Sequence, residues 1–145
     1  MLYITSDHGG LKLKSRLIEF LKQKNIEFED CGPNELIPSD DYTDYVIPVM
    51  RKVLESPKNN AVLICKNGVG VSIIANRFKG IRCALSWRLE HAVSSRNDDD
   101  ANVLALPANY ISEDEAEIIL ENWLNKDFSK EERFVRRINK LEEIK

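Results

Sequence analysis

Ala61-Val62-Leu63-Ile64-Cys65-Lys66-Asn67-Gly68-Val69-Gly70 is the stretch that decides the fold. Its first half is an unbroken apolar run that ends at a cysteine. A strand with one wet face alternates apolar and polar residues, and this one does not, so both of its faces are covered. The second half is a turn holding two glycines, and the spacing beyond it predicts a helix over Val71–Phe78. A doubly covered strand, a glycine turn and then a helix is the unit from which parallel sheets are built.

The same alternation extends in both directions. Leu2–Ser6 reads as a buried strand, and Leu13, Leu17, Ile18 and Leu21 mark a helix over Leu11–Lys24. Ile26–Asp30 reads as a shorter strand. Cys31–Asp41 contains Gly32, Pro33 and Pro38 and reads as a loop. Tyr45–Leu54 is helical in pattern, with Pro48 in the first turn or at a kink. Ile81–Leu85 is the fourth strand, Arg88 to about Arg96 a helix, and Val103–Leu106 the fifth strand. Ser112 with Glu115 forms a capping-box signature ahead of Ile118, Ile119 and Trp123, and Ser129 with Glu132 repeats it before a last helix. The expectation is a single α/β domain over 1–145, a three-layer sandwich around a five-stranded parallel sheet.

The 145 residues suit one hydrophobic core. A net charge of -3 and a pI near 5.5 argue against nucleic acid and anionic membrane as partners, since both require a positive field. No apolar run approaches the roughly 20 residues that span a bilayer. The chain opens directly on the strand-like Leu2-Tyr3-Ile4-Thr5, so no signal peptide is expected. Cys31, Cys65 and Cys83 are odd in number and widely spaced, which fits neither a disulfide framework nor a zinc knuckle. The expected compartment is the reducing cytoplasm.

Four constellations could carry chemistry. Ser6-Asp7-His8-Gly9-Gly10 follows the first strand, where ligands of open parallel sheets sit; the same residue types also serve ordinary turns and caps. Cys65 through Gly70 places a thiol before a glycine turn whose N–H groups can hold an anion, in a field that favours thiolate. The plainer reading of a cysteine is a small buried hydrophobe, which suits Cys31 and Cys83. The glycine pattern lacks the full dinucleotide fingerprint, so no NAD site is expected. Arg133 and Arg137, four residues apart, share a helix face and could grip a phosphate, although Arg136 and Lys140 also fit a solvated basic stripe. Asn97-Asp98-Asp99-Asp100 could suit a hard cation, but no loop signature accompanies it, and no metal is expected.

Taken together, Ser6 through Gly10, Asp44-Tyr45, Ile64-Cys65 with Gly68-Val69-Gly70-Val71-Ser72-Ile73, Ala75-Asn76-Arg77, Gly80-Ile81-Arg82, Asn102-Val103-Leu104-Ala105, and Arg133 with Arg137 resemble the ribose-5-phosphate isomerase B family. That family includes the galactose-6-phosphate isomerase subunits. The resemblance covers nearly the whole chain in order. It implies a Rossmann-like sheet of order 2-1-3-4-5 and a homodimer, or a tetramer, with active sites at the subunit interface. The last helix, about 130–143, would pack there. It implies no metal and no organic cofactor.

The resemblance assigns the proton transfer between an aldose phosphate and its ketose to Cys65, while Val71 stands where some members carry a glutamate base. Asp7 would orient sugar hydroxyls. Lys66, Asn67, Gly68, Val69 and Gly70 would surround the enediolate oxygen. His8, Arg133 and Arg137 would hold the phosphate, with Tyr45 nearby. The chain departs from the family at three places. Asp98-Asp99 replaces a His-Asn pair whose histidine is thought to help open the sugar ring, Lys66-Asn67 replaces Gly-Thr/Ser, and Asn109 replaces a phosphate-binding arginine. Asp98 could act as acid or base in that histidine's stead. His91 lies about 10 Å away along the helix. A different sugar, or a catalytically weak metabolite-binding protein, is the alternative to ribose 5-phosphate isomerisation.

Overall fold

The computed structural model describes residues 1–144, so the last position of the expected 1–145 domain lies outside the described residues. Five strands, β1 (Leu2–Ser6), β2 (Phe28–Asp30), β3 (Asn60–Cys65), β4 (Cys83–Leu85) and β5 (Val103–Pro107), form one parallel sheet. Six helices accompany them: α1 (Leu11–Gln23), α2 (Tyr42–Leu54), α3 (Val69–Ala75), α4 (Leu89–Asp99), α5 (Glu113–Asn125) and α6 (Glu132–Glu142).

The unbroken apolar runs do what their composition requires. Successive side chains of a strand point to opposite faces. Leu2, Ile4, Val62, Ile64, Leu104 and Leu106 therefore join one core with residues of α1, α4 and α5, including Leu17, Leu21, Ala92, Leu120 and Trp123. Tyr3, Ala61, Leu63, Cys65, Val103 and Ala105 join a second core with Val46, Met50 and Val53 of α2 and with Val71 and Ala75 of α3. Burial of each large aliphatic side chain contributes about 1.5–3 kcal/mol. No helix among the described residues is long and apolar enough to cross a membrane.

The sheet order is 2-1-3-5-4, which corrects the expected 2-1-3-4-5. The reason lies in the two strands themselves. β5 is five residues long and buried throughout, so it needs a neighbour on each side and a helix on each face. β4 has three residues, all half-exposed, and suits the edge. Its outer side is held by Asn76, whose side chain donates to the Cys83 carbonyl at 3.0 Å and accepts from the Cys83 amide at 2.8 Å. Asn102 does comparable work at the amino end of the sheet, donating to Gly80 at 2.8 Å and accepting from the Arg82 amide at 2.8 Å.

Three helix starts also differ from expectation, one of them α3, which begins at Val69 rather than Val71. α2 begins at Tyr42 rather than Tyr45, so Pro48 stands inside it; both Pro48 and Asp44, whose carbonyl loses a bond there, face solvent. The Ser112–Glu115 box forms with both of its arms. The Ser129–Glu132 box does not. Lys130 takes a left-handed backbone, φ 58°, which breaks the register between its two members. α6 starts after Glu131, whose side chain makes no capping bond, and Glu132 pairs with Arg136 at 2.8 Å.

Candidate active site

The chain leaves β1 towards α1 on one face of the sheet and leaves β3 towards α3 on the other. β1 and β3 are hydrogen-bonded neighbours, so their carboxyl ends open a crevice at a topological switch point, the position where open α/β sheets bind ligands. Asp7 sits on the β1 side of it. The residue is buried, and its Oδ1 accepts the Gly9 amide at 2.9 Å and the Gly10 amide at 3.2 Å, capping a 3₁₀ turn over His8–Gly10. Gly10 has to be glycine, because a Cβ there would stand 2.6 Å from the Ile64 carbonyl oxygen of β3. Gly10→Ala is expected to force the turn off the sheet, lower stability by about 1–3 kcal/mol and displace Asp7 and His8. A thermal melt combined with a ligand titration checks this; an unchanged melt with unchanged binding contradicts it.

Cys65 ends β3 on the other side, with about 5% of its surface exposed. The Gly68 amide donates to Cys65 Sγ at 3.1 Å. That contact needs a left-handed residue at the turn, and Gly68 supplies it with φ 71°. Asn67 Oδ1 holds the Val69 amide at 3.0 Å and lies 3.8 Å from Sγ. α3 has only seven residues, so the individual N–H groups of the turn, rather than a long helix dipole, are what a ligand meets. The exposed Lys66 runs its stem across Gly9, where a Cβ would lie 2.4 Å from Lys66 Cγ. Asn109, just beyond β5, donates its amide to the Lys66 carbonyl at 2.9 Å and therefore borders the same crevice.

The other two thiols differ in kind. Burial, reinforced by Glu29 and Asp30 against Lys52, pushes Cys31 up to about 11, and burial pushes Cys83 up to about 12. Both remain protonated at neutral pH and should react slowly. Iodoacetamide followed by peptide mapping is expected to label Cys65 first, and a bound sugar phosphate should protect it. Faster labelling of Cys31 or Cys83 would contradict the assignment.

His8 is held by a residue that the sequence reading passed over. Its Nδ1 lies 2.6 Å from Asp40 Oδ1, and its backbone amide donates to the same oxygen at 3.2 Å. Burial alone would raise the Asp40 pKa, but the His8 ring and amide, with a smaller contribution from Tyr45, hold it below the usual carboxylate value. Burial and then the Asp40 carboxylate raise Tyr45. Asp7, His8 and Asp40 bring one donor atom each within 4.8 Å. Asp7 and His8 already use theirs in hydrogen bonds, which makes the group a hydrogen-bonded network. Tyr42 was also missed: a Cβ on Gly70 would lie 2.7 Å from its ring, so the Tyr42 ring closes over the turn. Both residues fall where the loop meets α2, a stretch with no periodic pattern to flag them.

The remaining expected residues stand elsewhere in the protomer. α4 runs back from the carboxyl end of β4 and leads into the amino end of β5, whereas Cys65 pairs with Pro107 at the far end of that strand. Asp98 and Asp99 thus lie towards the amino end of the sheet, whereas Cys65 lies at its carboxyl end. Asp98 accepts from Asn97 at 2.7 Å, and the Asp99 carbonyl accepts from Arg82 at 3.0 Å. Asp100 pairs with Arg82 at 3.1 Å and Arg96 at 3.4 Å, which makes it a structural anchor. His91 bonds Ser86 at 2.9 Å.

α6 packs on α4, with Ser129 donating to Asn97 at 3.1 Å and Glu142 3.6 Å from Arg82. Arg133 and Arg137 both flank the buried Phe134, at 4.5 Å and 5.8 Å from its ring, and both are exposed. The single chain therefore gathers Asp7, His8, Tyr45, Cys65 through Gly70 and Asn109. It leaves Asp98, Asp99, Arg133 and Arg137 on other surfaces.

The chain as a whole is similar to known proteins. The sequence profile described as Ribose/Galactose Isomerase matches residues 2–141. A probable ribose-5-phosphate isomerase B of Mycoplasma pneumoniae is 41% identical over 127 residues, covering 88% of this chain and 84% of the relative. The crystal structure of ribose-5-phosphate isomerase B from Mycoplasma genitalium with bound ribulose-5-phosphate superposes with a TM-score of 0.93 at 37% identity, covering 97% of this chain and 93% of the other. The enzyme from Thermotoga maritima gives 0.94 at 36% identity, over 99% and 97% of the two chains. The chain belongs to the ribose/galactose isomerase family, the aldose–ketose isomerases of the ribose-5-phosphate isomerase B type.

Proposed function

We propose that this protein interconverts ribose 5-phosphate and ribulose 5-phosphate through an enediolate, with Cys65 as the proton carrier and without a metal or organic cofactor. The observation that carries this reading is Cys65 Sγ at the carboxyl end of β3, receiving the Gly68 N–H at 3.1 Å. That hydrogen bond fixes Sγ at the strand end with a lone pair engaged by the turn, facing the crevice between β1 and β3. The thiolate takes the proton from C2 of the open aldose. The electron pair of that C–H bond becomes the C1–C2 double bond, and the C1 oxygen gains the negative charge. The O2 hydroxyl proton passes to O1, the thiol gives a proton to C1, and the electrons left on O2 form the C2=O of the ketose. N–H groups of the Lys66–Gly70 turn stabilise the oxygen as its charge develops, and Asp7 and Asn67 orient sugar hydroxyls.

His8, Arg133 and Arg137 hold the phosphate, with Tyr45 beside His8. Arg133 and Arg137 stand away from Cys65 in their own protomer, so a second copy has to supply them, with Asp98 and Asp99. The working form is accordingly a cytoplasmic homodimer, or a tetramer built from such dimers, with α6 at the interface. The mass in solution and an isomerase assay over aldose and ketose phosphates and their unphosphorylated sugars test this. A monomer with full activity, or turnover of free sugars only, would overturn it.

A second reading keeps the chemistry and changes the sugar. It is favoured by Asn109, an amide at the mouth of the crevice where the family resemblance leads one to expect a phosphate-binding arginine, and by the carboxylates of Asp98 and Asp99. If these are losses for ribose 5-phosphate, ring opening suffers most. Ribulose 5-phosphate cannot close a furanose through its phosphorylated 5-oxygen and needs no opening. Asp98→His with Asp99→Asn is expected to raise turnover of the cyclic aldose by about tenfold or more, with little change in melting temperature. Unchanged or lower activity would make Asp98 a working group, or part of a site for another sugar, and would favour this second reading over a catalytically weak metabolite-binding protein.

A further inference from the structure

Asp40 carries a cost that its surroundings do not explain. Its side chain is about 5% exposed, and Oδ2 is buried without a hydrogen-bond partner among the described residues. A buried carboxylate oxygen left unpaired is destabilising. The other oxygen makes two contacts, both to His8: the ring Nδ1 at 2.6 Å and the backbone amide at 3.2 Å. Asp40 belongs to the loop before α2, and besides His8 only the Tyr45 hydroxyl contributes to holding its charge. The groups facing it are Asp7 on the β1 side and Tyr45 on α2.

We propose that Asp40 is a positioning residue, holding His8 by Nδ1 so that Nε2 is the ring atom offered to the phosphate of the substrate. An ionised carboxylate only accepts hydrogen bonds, so the proton between the pair belongs to Nδ1. The hydrogen bonds from His8 that hold Asp40 below its usual pKa keep it ionised at neutral pH. The fixed Nδ1–H settles which nitrogen a ligand meets. Nε2 has no partner among the described residues and is not among the buried unpaired atoms. The backbone contact fixes the residue's main chain, so ring and backbone are gripped by one oxygen. With a proton on each ring nitrogen, Nδ1–H donates to Asp40 and Nε2–H is the one left for a phosphate oxygen. This rests on the reading of His8 as a phosphate ligand.

The test uses the full chain with Asp40→Asn, Asp40→Glu, His8→Ala and the His8→Ala/Asp40→Asn pair. Asparagine matches aspartate in shape, and the glutamate variant restores the charge with a longer reach. Asp40→Asn is expected to raise KM for ribose 5-phosphate about tenfold, while kcat stays within about threefold. Asp40→Glu should recover part of the loss. In the His8→Ala background Asp40→Asn should add nothing. Ring ¹⁵N shifts should show Nδ1–H on His8 in the wild type and a tautomer mixture in Asp40→Asn, with His91, the only other histidine, as the internal reference.

An unchanged KM in Asp40→Asn, alongside a raised KM in His8→Ala, overturns the role of Asp40 and leaves the phosphate reading standing. Equal losses with and without His8 also overturn it, because Asp40 would then act through the fold. An unchanged KM in His8→Ala removes the phosphate reading and this proposal together.

Discussion

Cys65→Ala is expected to lower isomerase turnover by about 10²–10⁴-fold, the range that a positioned proton-transfer group contributes. Binding should survive. Alanine removes Sγ and its 3.1 Å contact with the Gly68 amide, but Asp7 keeps its hold on the Gly9 and Gly10 amides and Gly68 keeps its left-handed backbone. The truncation takes away little volume at the end of a strand whose other apolar residues stay buried, so the fold should lose no more than about 1–2 kcal/mol. Steady-state kinetics with a binding titration separate the two effects. Cys65→Ser sharpens the comparison, because a hydroxyl keeps a donor and acceptor in place but does not ionise near neutral pH. Full turnover in Cys65→Ala would remove the proton carrier from the mechanism. Loss of turnover together with loss of binding would point to collapse of the turn.

The second large effect is expected from Arg133 and Arg137. The two guanidiniums flank Phe134 on the exposed face of α6 and have no buried role in the protomer. Among the described residues Arg133 forms an ion pair only with Glu131, at 3.0 Å, an exposed contact of small worth. A charge-assisted hydrogen bond to phosphate is worth about 1.5–3 kcal/mol, so each Arg→Ala change should weaken binding of ribose 5-phosphate by about one to two orders of magnitude. Arg→Lys should recover only part of it, because an ammonium cannot match two phosphate oxygens with a planar fork. Stability should hardly move. The useful control is an unphosphorylated sugar, whose weaker binding should not respond. If both alanine variants bind the phosphorylated sugar normally, α6 is a structural helix and the phosphate is held elsewhere. Mixing Cys65→Ala with the double arginine variant adds a direct test of a shared site. If each site takes its arginines from the other copy, mixed dimers regain activity in one of their two sites.

Much of the sheet could be read from the chain because its signals are local. The unbroken run at Ala61–Cys65, the similar runs at Leu2–Ser6 and Val103–Leu106, and the glycine turn after Cys65 each specify a covered strand or its exit without reference to anything distant. The order of the last two strands is not local. It depends on β5 being buried along its length and β4 being short and half-exposed, which a reading of apolar composition does not separate. The Ser129–Glu132 pair failed for a related reason. Its side chains suit a capping box, but the backbone between them turns left-handed at Lys130.

The site was legible in part. Asp7, His8 and Cys65 follow strands, and a strand end in a parallel sheet is a strong positional cue. Asp40 and Tyr42 follow a loop without periodicity, and they reach the crevice only because that loop folds back over the carboxyl ends of β1 and β3. The pair Asp41-Tyr42 at the start of α2 was the signal available, an acidic residue followed by an aromatic, and Tyr45 three residues further on was singled out instead. The arginines and the Asp98–Asp99 pair were recognised as candidates, but their distance from Cys65 within one protomer could not be seen in sequence spacing.

The most direct test of the central claim is isomerisation of ribose 5-phosphate in D₂O, followed by NMR of the carbon-bound protons at C2 of the aldose and C1 of the ketose. Proton carriage by Cys65 through an enediolate predicts that solvent deuterium enters those positions with the wild-type protein, and that both exchange and isomerisation disappear in Cys65→Ala. Exchange or isomerisation that runs as fast in Cys65→Ala as in the wild type would contradict it.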